Sequence, residues 1–232
     1  MMKIAEKIRK GQAPRLAFLG DSVTQGMFEF QNGFKESALR PEKAFHNLLK
    51  EKIKRELGQE IVVINAGIGG NFSGQGLARM QADVIDKKPD FCCVMFGTND
   101  VTNARKGVAA LNEYEKNMRT IFQRLLDTGI EPVLLTPGML ASHHVKGFTG
   151  FWFFVHKYYE YLQNSGKMDQ YVECARQVAR DMGIPIADAY AVWKDMAKRG
   201  IDTTAMLING LNHPAAEYHQ IFCDCLYQTI FS

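Results

Sequence analysis

Leu16-Ala17-Phe18-Leu19-Gly20-Asp21-Ser22-Val23-Thr24-Gln25-Gly26 is the stretch that decides the fold. An apolar run of strand type breaks off in Gly-Asp-Ser, and a polar turn closed by Gly26 follows. An open α/β sheet presents a nucleophile in this way. The strand is buried and stiff, Gly20 lets the chain turn sharply, and Ser22 is left in the crevice where such sheets bind ligands. Alone, a Gly/Asp/Ser cluster after a strand is an ordinary turn, so other stretches have to agree with it.

Three later stretches do. Ile61-Val62-Val63-Ile64 reads as a second strand, of the fully buried type, and ends in Asn65-Ala66-Gly67-Ile68-Gly69-Gly70. Phe91 to Phe96 reads as a third and runs into Gly97-Thr98-Asn99-Asp100. Near the end of the chain, Leu211-Asn212-His213-Pro214-Ala215-Ala216 places a histidine in a loop before the last helix. Pro132 to Thr136 and Ile184 to Ala187 supply strands four and five. Helical spacing fills the intervals: from Pro41 to Gly58, from about Ser73 to Asp86, then 110 to 128, 168 to 182 and 189 to 199. A last helix starts at about Pro214, a residue favoured at the first helical position. Residues 1 to 14 form a short helix or arm, and Met27 to Arg40 a loop rich in Phe, Gly and Asn.

Strands and helices alternating at this rhythm predict one α/β domain over residues 1–232: a parallel five-stranded, doubly wound sheet with helices on both faces. Residues 138–167 form an insertion dense in aromatics: Phe148, Phe151, Trp152, Phe153, Phe154, Tyr158, Tyr159 and Tyr161. A connection this long at a strand's carboxyl end serves as a lid or specificity wall. Its other reading is a helical hairpin packed on the body or on a second subunit, which would make a homodimer.

The composition narrows the partners. With 46% hydrophobic and 23% charged residues and a net charge of +3, the chain is ordinary and globular. Its basic clusters, Lys50 to Arg55 and Lys87-Lys88, suit exposed helix faces and argue against nucleic acid. The first 14 residues lack the apolar core of a secretory signal, and no stretch has the roughly 20 apolar residues of a membrane helix. The five cysteines are odd in number and lack zinc-like spacing. Reduced thiols in a cytoplasmic protein are the expectation, with a secreted protein whose signal was removed as the alternative.

Serine hydrolysis needs a nucleophile, a base and donors aimed at the oxyanion. Ser22 and His213 fit the first two roles. Gly67 and Asn99 follow strand ends that reach the same crevice, and the Ser22 backbone N–H adds a third donor. Singly, each of these residues is more easily read as a turn, cap or packing residue. Their order and joint placement favour catalysis. His219 reads as a packing residue of the last helix, Asp21 and Asp100 as backbone-bonding groups, and His143-His144 as no metal site.

The four stretches GDSVTQG, NAGIGG, GTND and NHPAA, in this order, resemble the SGNH (GDSL-type) hydrolase family over about residues 15 to 225. The resemblance implies a flavodoxin-like three-layer α/β/α fold and esterase chemistry with no cofactor and no metal. It places Ser22 as nucleophile, Ser22, Gly67 and Asn99 in the oxyanion hole, and His213 as general base. The family commonly has Asp three residues before that histidine. Here Gly210 stands there, preceded by Asn209. Asn209 accepting the ring N–H through its carbonyl, a backbone carbonyl, or a distant carboxylate such as Asp202 could orient the imidazole.

The function expected is therefore a serine esterase acting on a small-molecule ester, with a short acyl group such as acetyl on a carbohydrate. Its alternatives are a lipase, lysophospholipase or thioesterase of the same family, and a non-catalytic binding protein that keeps the fold. A mononucleotide binder is set aside, because no Gly-x-Gly-x-x-Gly or Walker-type spacing is present.

Overall fold

The computed structural model describes residues 2–28 and 38–232, so the middle of the expected 27–40 loop lies outside the described residues. Five parallel strands form one sheet: β1 (Arg15–Gly20), β2 (Val62–Gly67), β3 (Phe91–Met95), β4 (Glu131–Leu135) and β5 (Ile186–Ala187). Their order is β2-β1-β3-β4-β5. The direction of winding reverses beside β1, and in such sheets the ligand crevice opens at that point, at the carboxyl ends of the strands.

Alternation along β1 divides the core in two. Leu16 and Phe18 face the buried sides of α1 (Lys3–Arg9), α3 (Phe45–Leu57) and α9 (His219–Phe231). Ala17 and Leu19 face α4 (Ser73–Asp83), α5 (Val108–Asp127) and α7 (Lys167–Asp181). Each fully buried Leu, Ile or Phe is worth roughly 1.5–3 kcal/mol, so a strand lined on both faces is held firmly. The layers are those expected from the alternation of strands and helices.

Three expectations are corrected. β2 is an edge strand with Val62 44% exposed, not a fully buried one. Its run Ile61–Ile64 is apolar because β2 packs partly on both faces, a state that hydrophobicity alone does not separate from full burial. Pro214 does not open the last helix. It pairs with Leu207 in an isolated antiparallel bridge while the next residue, Ala215, donates its N–H to Met206 O, which holds the chain extended. A 3₁₀ turn (Ala216–Tyr218) leads into α9 instead. His219 is then the first residue of α9 rather than a residue one and a half turns along it.

The insertion contains one helix, α6 (Gly150–Asn164), followed by α7. Its inner side is tied down. Gln163 accepts the Leu140 N–H and donates to the Tyr190 hydroxyl, and the Tyr158 hydroxyl donates to Thr102 O. Its outer side leaves Phe151 and Phe154 73% and 71% exposed. α8 (Ala189–Lys198) buries Tyr190 and Trp193 on the same face of the sheet as α5 and α7.

Candidate active site

Ser22 leaves β1 as the first residue of a one-turn helix, α2 (Ser22–Gln25). Asp21 caps that turn, its carboxylate accepting the Val23 N–H at 3.0 Å. Burial, with a lesser push from the Asp100 charge, raises the Asp21 pKa to about 7. Two glycines let α2 fold back against the sheet. A β-carbon on Gly20 would lie 2.1 Å from Thr24 Oγ1, and one on Gly67 2.2 Å from Gln25 N. The two glycines are partners in the β1–β2 register.

Close packing is thus what the structure requires of Gly67, and its expected oxyanion role is corrected. The Gly67 N–H donates to Asn65 Oδ1 at 2.9 Å, and the Gly69 N–H to Gln25 Oε1 at 2.8 Å. Gly70, with φ of 74°, donates its N–H to no described residue. This turn runs beside Ser22: a β-carbon on Gly69 would lie 3.8 Å from Ser22 Cβ.

Asn99 follows β3, and one hydrogen of its amide is held by Asn71 O at 3.0 Å. The other hydrogen has no partner among the described residues. Asp100 accepts from the Ser73 N–H (2.9 Å), the Ser73 hydroxyl (2.6 Å) and the Gly97 N–H (3.1 Å), binding the loops after β2 and β3 together. Asp21 and Asp100 therefore hold backbone, as expected. Arg79 does related work unforeseen from the sequence. It donates to Gly20 O (2.9 Å), Ala66 O (2.7 Å) and Asn71 Oδ1 (2.8 Å), and pairs with Asp83 (2.9 Å). An Arg–Asp pair four residues apart reads in sequence as any helix surface pair.

His213 meets Ser22 from the opposite side, its Nε2 2.6 Å from Ser22 Oγ. Its loop is closed by bonds from the Ile208 N–H to His213 O (2.8 Å) and from the Ala141 N–H to Leu211 O (2.8 Å). Burial pushes the imidazole pKa down to about 3. Asn209 reaches His213 Nδ1 as expected, at 2.6 Å, but with its Nδ2. Its carbonyl oxygen is turned inward and accepts the N–H groups of Leu211, Asn212 and His213, each at 3.0 Å.

Gly210 has φ of 65°, and a β-carbon there would lie 3.2 Å from the Phe148 ring. A side chain three residues before His213 is thus disfavoured by backbone and by space. Asp202 is corrected as an orienting candidate. It is exposed, pairs with His143 Nε2 at 2.8 Å and accepts from the Thr204 and Ala205 N–H groups. His219 is buried against Phe28, Phe45 and Phe222 and accepts the Phe45 N–H at 3.3 Å. Behind α2, His46 Nε2 donates to Thr24 O at 3.0 Å, and burial lowers its pKa to about 4. No sequence signal separates His46 from any lone histidine on a helix. Among the described residues, no cluster of His, Cys, Asp and Glu could hold a metal ion.

A serine hydrogen-bonded to a buried histidine, at the carboxyl edge of a parallel sheet and beside strand-end donors, is the kind of arrangement on which serine hydrolases are built. The profile of the GDSL-like Lipase/Acylhydrolase family matches residues 18–221. The chain belongs to that family, and with it to the carboxylic ester hydrolases. An acetylxylan esterase of Geobacillus stearothermophilus is 26% identical over 228 residues, 95% of each chain. A crystal structure of an acetylxylan esterase from that organism shares the fold, with a TM-score of 0.70 at 24% identity over 94% of each chain. An uncharacterized lipoprotein of Bacillus subtilis (strain 168), YqeF, is 25% identical over 167 residues, covering 67% of this chain and 66% of that protein.

Proposed function

We propose that this protein hydrolyses short-acyl esters, acetyl on a carbohydrate in particular, through an acyl-enzyme on Ser22. The 2.6 Å bond between Ser22 Oγ and His213 Nε2 carries the reading. Ser22 Oγ attacks the ester carbonyl while its proton passes to Nε2 and on to the leaving alcohol. Water activated by the same nitrogen then releases the acid. The oxyanion is met by the Ser22 N–H, the uncommitted hydrogen of the Asn99 amide and the Gly70 N–H, which takes the place first given to Gly67.

The acetyl-carbohydrate class is supported by the acetylxylan esterase aligned along nearly the whole chain. The exposed rings of Phe151 and Phe154 support it too. They stand on the segment that packs Phe148 against Gly210, and aromatic faces stack on sugars. The test is hydrolysis of p-nitrophenyl esters, acetate through palmitate, and of acetylated xylo-oligosaccharides, beside Ser22→Ala. Activity greatest on acetyl esters and reduced at least about a thousandfold in the variant is the expected result. A palmitate preference would favour a lipase-type substrate. Equal rates in both proteins would favour the non-catalytic alternative.

A further inference from the structure

Base catalysis by His213 needs its proton on Nδ1, so that Nε2 is bare and can take the proton of Ser22. The turn before the histidine enforces the reverse. Asn209 Oδ1 accepts three backbone N–H groups, from Leu211, Asn212 and His213. Those donors decide which way the amide faces, because turning it over would point its NH₂ hydrogens at three other N–H groups. Nδ2 is therefore the group that faces Asn212 Oδ1 (2.9 Å) and His213 Nδ1 (2.6 Å). An amide NH₂ only donates, so Nδ1 accepts and the single ring proton sits on Nε2. Nε2–H then donates to Ser22 Oγ. The hydrogen bond that joins the two reacting groups runs in the wrong direction for proton abstraction.

We propose that Asn209 is a positioning residue that holds His213 in the Nε2–H tautomer and so brakes ester hydrolysis; this rests on the reading of Ser22 and His213 as nucleophile and base. To react, His213 has to carry its proton on Nδ1, where it meets the hydrogens of the Asn209 NH₂. The imidazolium formed as Ser22 gives up its proton meets the same conflict. Relief requires the amide to leave its three backbone donors. A carboxylate at 209 removes the conflict: one oxygen keeps the three N–H donors and the other accepts Nδ1–H, while Asn212 turns its amide to donate. The neighbouring position is closed to this solution by the left-handed backbone of Gly210 and the ring of Phe148.

In serine proteases, replacing the orienting carboxylate by an amide costs about 10⁴ in kcat through the same change of tautomer. The converse substitution here, Asn209→Asp, is expected to raise kcat at least about tenfold. The deciding measurement is the pair of ring ¹⁵N shifts of His213 in histidine-labelled protein at neutral pH, in the wild type and in Asn209→Asp. The expected result is Nε2–H in the wild type and Nδ1–H in the variant. Nδ1–H in the wild type would overturn the proposal, and so would an Asn209→Asp protein that is folded, active and no faster. The tautomer can also be read in Ser22→Ala, which has no activity to lose. If every ester proves inert, the function proposed above fails while the shifts still decide the tautomer.

Discussion

The two sides of the crevice are built on different principles. The Ser22 side is made of three strand ends drawn together at several points: Gly20 and Gly67 admit α2, Arg79 gathers the carbonyls of Gly20 and Ala66, and Asp100 joins the loops that follow β2 and β3. The His213 side lies outside the five strands, on a loop bonded to the segment that follows β4. It is a closed loop whose central turn is organised by one side chain, Asn209, and braced from outside by Phe148. On the first side several residues share the work of holding Ser22, whereas on the second the atom that faces His213 Nδ1 is set by one amide.

The largest expected effect separates the two roles considered for Gly67. Gly67→Ala puts a β-carbon into backbone that cannot move without unseating α2, and should cost about 3 kcal/mol of stability. Thermal unfolding measures it. An unchanged Tm together with a lost kcat would restore Gly67 as an oxyanion donor and make the two sides of the crevice more alike.

Next in size is the response to acid. His46, His213 and His219 are neutral in the fold, with pKa values lowered to about 4, 3 and 3 from the usual 6.5. In the unfolded chain they take up protons below about pH 6.5, so their contribution to stability is complete above that pH and is lost as the pH falls to about 4 for His46 and about 3 for His213 and His219. Asp21, raised to about 7, acts in the opposite sense. It favours the fold most at low pH and loses that contribution as the pH rises from about 4 to 7. Asp100, also raised, adds to Asp21. The histidines outnumber the two carboxyls, so net stability should fall by about 1–3 kcal/mol per pH unit below pH 6.5. Urea midpoints at about pH 5 and 7 check the sign. A higher midpoint at pH 5 would mean that the carboxyls dominate.

The smallest effect sharpens the reading of the insertion. Phe154→Ser, on the exposed side of α6, should change stability by less than about 0.5 kcal/mol while weakening turnover of acetylated oligosaccharides more than of p-nitrophenyl acetate. If turnover of both substrates is unaffected and sedimentation shows a dimer lost, the exposed rings serve a second subunit instead of a sugar.

The strand-supported half was legible in the sequence because its constraints are local. An apolar run broken by Gly-Asp-Ser fixes a strand end, a turn and Ser22 within seven residues. Asn99 and Asp100 follow from the same pattern at β3. His213 was found through its place near the last helix, although Pro214 proved to be part of a bridge and not a helix start. What could not be read was competition for hydrogen bonds. Whether the Gly67 N–H is available depends on the side chain of Asn65, and which end of the Asn209 amide faces His213 depends on three backbone groups of the same turn. Arg79 and His46 were missed for a related reason, because their partners come from strands and loops distant in the chain.

The three-donor turn around Asn209 Oδ1 has a consequence at the level of genes. A carboxylate fits the same three donors, so the turn does not demand an amide, and the codons for Asn and Asp differ only in their first base. The braked and unbraked forms of this site are therefore neighbours in mutational space, joined by a single transition that leaves the backbone of the turn in place. Random mutagenesis under selection for ester hydrolysis would meet that change early, before any that rebuilds a loop.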